Sequence, residues 1–256
     1  MSKEIIFKKR IKTLEIYINV PENLNAMNLS MYKDISNLLS EADKDDSISS
    51  VIITGVGDFF CSGNSISEFL TMANRTNEEN ESSKNIVREF MLAVVNFSKP
   101  IIAAVNGPAI GVGATMLCHC DYIISKPDAY FQTPFTKLGL APEFGSSLLL
   151  PSQVGEKLSK RMLVFSEKLS VDEAVNVGFV SKASEDPLGE ARRITSSLAS
   201  LAPLSMKITS TLLNEKNKHK VIQTIEEELE IFFDLIIAGE AKEAVNAYLQ
   251  KRKPVY

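Results

Sequence analysis

Tryptophan is absent from this chain, histidine occurs only as His119 and His219, and cysteine only as Cys61, Cys118 and Cys120. Neither histidine has a serine or cysteine partner set around it in sequence, which argues against a Ser-His-Asp site. Three cysteines in apolar surroundings cannot all pair, so they read as free thiols of a reducing compartment. No apolar run approaches the ~18 residues that a transmembrane helix needs. The opening MSKEIIFKKRIK lacks a secretory apolar stretch, and the closing KRKPVY is neither a KDEL-type nor an SKL-type address. Basic residues are in slight deficit: 28 Lys and Arg against 32 Asp and Glu leave a net charge of −4. A general basic field for nucleic acid is therefore missing. Twelve glycines and ten prolines exclude collagen-like and low-complexity classes. A G-x-x-x-x-G-K-[ST] phosphate loop is absent, and after Gly111-Val112-Gly113 the third glycine of a dinucleotide fingerprint is replaced by Met116.

What remains is a chain of 256 residues, 45% of them hydrophobic, enough to bury a sizeable core in one large α/β domain or two small ones. Strand patterns at EIIFKKR and TLEIYINV are followed by the turn-rich PENLNAMN and a helix over about 30–43. The strand SVIITGVG, a helix near 84–97 and the buried strand IIAAV continue the alternation. A helix begins around Gly111, and DYIIS and AYFQ read as further strands. This alternation predicts parallel strand pairing. From about Val154 the pattern is helical apart from FVSK, and 226–235 hides a large apolar face, either in the chain's own core or against a neighbouring subunit. The polar stretch 74–84, NRTNEENESSK, reads as a mobile surface loop or a ragged helix start.

Two glycine-containing turns, FCSGNS (60–65) and NGPAIGVGAT (106–115), stand where buried strands end, the place where open α/β sheets build ligand sites. The second opens a helix, whose first N–H groups have no intrahelical partner. Two such turns can aim N–H groups at one oxygen, and either taken alone can be purely structural. Cys118-His119-Cys120 does not suggest a metal site, since neighbouring helical residues diverge and no second cluster completes four ligands. Cys61 reads as a nucleophile or as a small buried hydrophobe. Glu143 sits in the otherwise uncharged 138–151 stretch. Desolvation there raises a carboxyl toward the range useful for a general base, while capping of the following helix is the plainer alternative.

Across NLNAMN (23–28), GDFFCSGN (57–64), KPIIAAVNGPAIGVGATMLCHCDYIIS (99–125), AYFQTPFTKLGLAPEFGSS (129–147) and the final KRKP, the chain resembles the crotonase (enoyl-CoA hydratase/isomerase) superfamily. The resemblance implies an α/β spiral of ββα turns over 1–200 and a helical C-terminal trimerisation region over 201–256 of the same domain. It also implies an oxyanion hole on the backbone N–H groups of Ser62 and Val112. The positions of the two hydratase glutamates hold Thr115 and Phe135, whereas Glu143 stands where peroxisomal-type Δ3,Δ2-enoyl-CoA isomerases carry their single acid. The implied reaction turns a 3-enoyl-CoA into the trans-2-enoyl-CoA of unsaturated fatty-acid β-oxidation. It uses no metal and no cofactor beyond the coenzyme A of the substrate. Asn25, Ala26, Met27, Gly63, Asn64, Gly111 and Phe135 would line the substrate, with Phe135 keeping the site dry and the 74–84 segment bordering the acyl tail. Lys251, Arg252 and Lys253 would either meet CoA phosphates or form a solvated tail. A homotrimer or a dimer of trimers, in a peroxisome or mitochondrion, completes the expectation. The rival readings are thioester hydrolysis in the same site, or a domain that binds acyl-CoA or a protein without turnover. At Ser65, where the superfamily often has Asp, the sequence departs from the pattern.

Overall fold

The computed structural model describes residues 3–73, 75 and 77–256. The chain opens with the antiparallel strands β1 (Ile5–Arg10) and β2 (Thr13–Ile18), then helix α1 (Leu29–Lys44) and strand β3 (Ser50–Gly55). Helices α2 (Ile66–Ala73) and α3 (Asn77–Asn96) lead to β4 (Ile101–Val105), the short β5 (Ala109–Ile110) and the one-turn helix α4 (Val112–Thr115). Strands β6 (Tyr122–Ser125) and β7 (Tyr130–Gln132) precede α5 (Ser146–Val154) and α6 (Glu156–Leu163). The remainder is β8 (Leu169–Ser170), α7 (Val171–Asn176), β9 (Lys182–Ala183), α8 (Pro187–Leu198), α9 (Pro203–Ile237) and α10 (Gly239–Leu249).

One sheet runs β1-β2-β3-β4-β6-β9, parallel from β2 onward, and a smaller one runs β5-β7-β8. The larger sheet is covered on both faces, which is why its strands read as continuous apolar runs. Val51 and Ile53 of β3 face the main core, while Ile52, Ile102, Ala104 and Ile124 pack on α8 through Ala191, Leu188 and Ile194. On that outer side the buried Glu15 carboxylate is paired by Arg192 at 2.7 Å and by Arg10 at 3.2 Å. Helix α1 starts at the Asn28 cap, whose side chain accepts the Met31 N–H at 3.0 Å, and buries Met31, Ile35, Leu38, Leu39 and Ala42 at helical spacing.

Mixed α/β structure giving way to helices matches the sequence expectation. Of the two readings of the polar segment, the helix start fits and the surface loop does not: α3 begins at Asn77 rather than near 84, and Asn80, Ser83 and Lys84 are buried. Lys84, at the end of the run, pairs with Glu230 of α9 at 2.9 Å, and Arg88 one turn later pairs with Glu226, so ion pairs join α3 to α9. Acidic Glu78 and Glu79 in the first turn of α3 suit the helix dipole. Residues 74 and 76 of that segment lie outside the described residues.

Candidate active site

The two glycine turns come together. A parallel bridge joins Cys61 to Ala109, and the Ile110 N–H donates to Cys61 O at 2.8 Å. A Cβ on Gly111 would lie 3.5 Å from the Gly63 Cα, and one on Gly113 only 2.6 Å from Cys61 O. The missing Cβ at Gly113 is what lets the turns touch, while Gly111 is required by its φ of +56°. Gly63, at φ +98°, also needs the freedom of glycine.

The N–H groups of the first turn do not fall as expected. Ser62 donates its N–H to Leu24 O at 3.1 Å, so it is not available to a ligand. Beyond Ser62, Met27 donates to Gly63 O and Ser65 donates to Met27 O, both at 2.8 Å. In such a parallel bridge the residue between the two bonds, here Asn64, turns its own N–H the other way. Neither Asn64 N–H nor Val112 N–H has a hydrogen bond among the described residues. Val112 is the first residue of α4, where an N–H has no intrahelical partner. The expectation for Val112 therefore agrees with a free donor, and the free donor of the first turn is Asn64 rather than Ser62. The Asn64 side chain is held by the Tyr32 hydroxyl, which donates to its Oδ1.

Ser62, Gly63, Asn64, Gly111 and Val112 line a cleft of about 810 Å³, together with Ala26, Phe135 and the C-terminal helices. Phe69, Phe232 and Asn64 also line a small inner cavity of about 20 Å³, into which Glu143, Glu68, Met27 and Tyr32 face. Glu143 thus sits one layer behind the cleft, at its apolar end. It is 2% exposed. Burial pushes its carboxyl up to about 8, against the Thr115 hydroxyl, which donates to Oε1 at 2.5 Å, and with added push from the Glu228 charge.

Glu143 does not cap α5. Helix α5 is capped by Glu228 of α9, which accepts the Gly145 N–H at 2.6 Å and the Ser147 N–H at 2.8 Å. Between them Phe144 (φ 63°) and Gly145 (φ 71°) are both left-handed, a conformation costing a non-glycine residue roughly 1–2 kcal/mol. Phe144 is held from the other side: its carbonyl accepts from His119 Nε2 at 2.8 Å and the two rings stack at 4.3 Å. His119 is therefore structural, and burial depresses it to about 4. Cys118 and Cys120 are buried thiols pushed upward, and burial lifts Cys61 to about 12, which leaves it a hydrophobe and not a nucleophile.

Asn25 is also not a substrate contact. It is fully buried, with Nδ2 donating to Val56 O and Phe59 O and Oδ1 accepting from Val20, so it ties the 23–28 turn to the end of β3. Ala26 lines the cleft and Met27 the inner cavity. Arg252 lines the cleft but is paired with Glu243, Nη2 to Oε2 being 2.9 Å, while Lys251 and Lys253 are exposed.

The sequence profile described as enoyl-CoA hydratase/isomerase matches residues 9–256. The chain belongs to that family. It is 32% identical over 255 residues to enoyl-CoA delta isomerase 2 of Rattus norvegicus, covering 99% of this chain and 65% of the relative's length. It is 30% identical to the crotonyl-CoA hydratase of Syntrophomonas wolfei, over 98% of this chain and 96% of that protein. The crystal structure of an enoyl-CoA hydratase/isomerase from Pseudoalteromonas atlantica superposes at a TM-score of 0.92 with 36% identity, covering 99% and 100% of the two chains. Isomerases and hydratases of the family are thus similarly related to it.

Sequence reasoning missed Glu68, which lines the inner cavity, and Glu228, which holds the amides after Glu143. For Glu228 a signal existed: it lies among Ile225, Leu229, Phe232 and Phe233 on the buried face of α9, where an acid needs a partner.

Proposed function

We propose that this chain moves a double bond, converting a 3-enoyl-CoA into the trans-2-enoyl-CoA, with Glu143 carrying the proton. The observation that supports this most is the seat of Glu143, a buried carboxyl raised to about 8 behind a cleft lined by two free backbone N–H groups. The thioester oxygen would rest between Asn64 N–H and Val112 N–H. When Glu143 takes the C2 proton, negative charge gathers on that oxygen and the two donors stabilise it. Elsewhere one such donor is worth roughly 10²–10³ in rate. The protonated Glu143 then delivers the same proton to C4, and the double bond settles between C2 and C3. Atoms and electrons balance without a redox partner, and coenzyme A enters only as part of the substrate. Phe135 and Phe232, with rings 6.4 Å apart, keep bulk water from the dienolate. Unsaturated fatty-acid β-oxidation is the setting in which such a substrate arises.

The test is formation of the conjugated 2-enoyl thioester from a 3-enoyl-CoA, followed by ultraviolet absorbance, in wild type and Glu143→Gln. Activity that collapses in the variant while CoA binding persists supports the reading. A wild type inactive on both short and long chains overturns it.

A second reading is hydration, favoured by Glu68. It faces the same inner cavity as Glu143, and its buried Oε2 has no hydrogen-bond partner among the described residues. The cavity has room for about one water. Water addition to a 2-enoyl-CoA that Glu68→Gln removes would establish this reading.

The first half of α9 exposes Leu204, Ile208 and Leu212 along one side, a face suited to further copies of the chain in a trimer. Solution mass would decide it.

A further inference from the structure

We propose that Glu228 is a positioning residue for Glu143: its carboxylate, reaching from α9, grips the turn that aims the base. This rests on Glu143 being the base of the site. The grip itself is geometric. Glu228 is 7% exposed, and its two oxygens accept the backbone N–H groups of Gly145 and Ser147, two and four residues after Glu143. Successive N–H groups in a left-handed turn form a concavity that binds anions. Here the anion is supplied by the protein itself.

Within the turn, one backbone bond spans Phe144 and Gly145, from the Ser146 N–H to the Glu143 carbonyl at 3.2 Å. Phe144 is a bulky residue at φ 63°, and the caps of α5 include no side chain of the turn. Its side-chain holders come from two other elements: His119, after α4, on the Phe144 carbonyl, and Glu228 on the flanking amides. If the amides were released, the turn could relax and Glu143 would swing off the inner cavity. The Glu228 charge also acts directly, opposing ionisation of Glu143. The other groups facing Glu143 are Thr115, Cys61, Cys118 and Tyr32, with Glu68 across the cavity. Of these only Glu68 and Glu228 are carboxyls, and only Glu228 also touches the Glu143 turn.

The experiment is Glu228→Gln, which keeps the shape and one acceptor but loses the charge, beside Glu228→Asp, which keeps the charge but shortens the reach. In folded Glu228→Gln, ¹³C-carboxyl NMR should show Glu143 titrating at lower pH than in wild type, and kcat should fall about tenfold or more with little change in KM. Glu228→Asp should lower kcat with a smaller move of the titration. A purely structural role predicts loss of melting temperature with the Glu143 titration unmoved, and that outcome overturns the proposal. Should neither variant fold, hydrogen exchange in wild type decides: slow exchange at Gly145 and Ser147 N–H is expected, and exchange at the unprotected rate refutes the grip. Because titration and exchange need no substrate, they stand even if the isomerase assay fails.

Discussion

The hydroxyl of Thr115 donates to Oε1 of Glu143 across 2.5 Å, from the position at which a family hydratase is expected to carry one of its two acids. A neutral donor therefore faces the Glu143 carboxyl, 28 residues later in the chain. The bond favours the ionised carboxyl while burial opposes it, and burial wins.

Thr115→Val keeps the volume and removes this donor. The Glu143 carboxyl should then titrate at still higher pH. The rising limb of the pH–rate profile should move upward, and turnover at pH 7 should drop about two- to tenfold. A limb that stays in place would show that the bond does not tune the base.

In wild type, proton abstraction requires the carboxylate, so kcat/KM should climb with pH and level off above about 8. A profile flat from pH 6 to 9 on a substrate whose chemistry is rate-limiting contradicts this assignment.

The same shift makes a stability prediction. Between the unfolded value of 4.5 and the folded value of about 8, the native state holds a proton that the unfolded chain has lost. Glu143 therefore contributes stability below about pH 4.5 that disappears as pH rises through 8. Glu143→Gln has no such loss. Its advantage over wild type in denaturant unfolding should be small near pH 5 and grow toward a few kcal/mol at pH 8.5. An advantage that does not change with pH refutes a raised carboxyl.

Gly113→Ala should separate the two glycine turns, because the added Cβ meets Cys61 O at 2.6 Å and Sγ at 3.1 Å. Displacing the Val112 N–H should lower kcat roughly 10²-fold with a smaller loss of CoA affinity. Near-normal kcat in a folded variant would show that the Val112 N–H is not a donor to the reaction.

Arg192→Met removes the principal partner of Glu15, whose side chain is buried on the outer face of the larger sheet. An uncompensated buried carboxylate should cost about 2–4 kcal/mol in chemical denaturation, softened by Arg10 and Tyr17, while kcat stays within about twofold. An unchanged stability would mean that the pair is not holding α8 to the sheet.

Much of this architecture is legible locally. Apolar runs such as SVIITG and IIAAV declare buried strands, and Glu143 stands out as an acid in an uncharged stretch. What the sequence hides is direction and long-range pairing. That the Ser62 N–H faces Leu24 O while Asn64 turns away depends on the pairing of the 23–28 turn with 61–65, which no spacing reveals. The segment 77–84 looks solvated because its partners are hidden from the sequence: Asn80 donates to Met72 O, Ser83 meets Arg75 and Glu79 O, and Lys84 reaches Glu230 of α9, 146 residues away. Asn25 resembles a ligand contact in its motif, yet the backbone ends of two strands claim all its side-chain bonds.

The Glu228 bond to Gly145 closes a gap of 83 residues, from the last long helix back to the middle of the chain. A chain emerging from a ribosome presents Glu143 well before the group that steadies it. A nascent form ending ahead of α9 has both glycine turns, Glu143 and His119, but lacks the carboxylate that holds the amides of the Glu143 turn. The helix that completes the wall of the cleft thus also fastens the Glu143 turn, and both arrive late in synthesis.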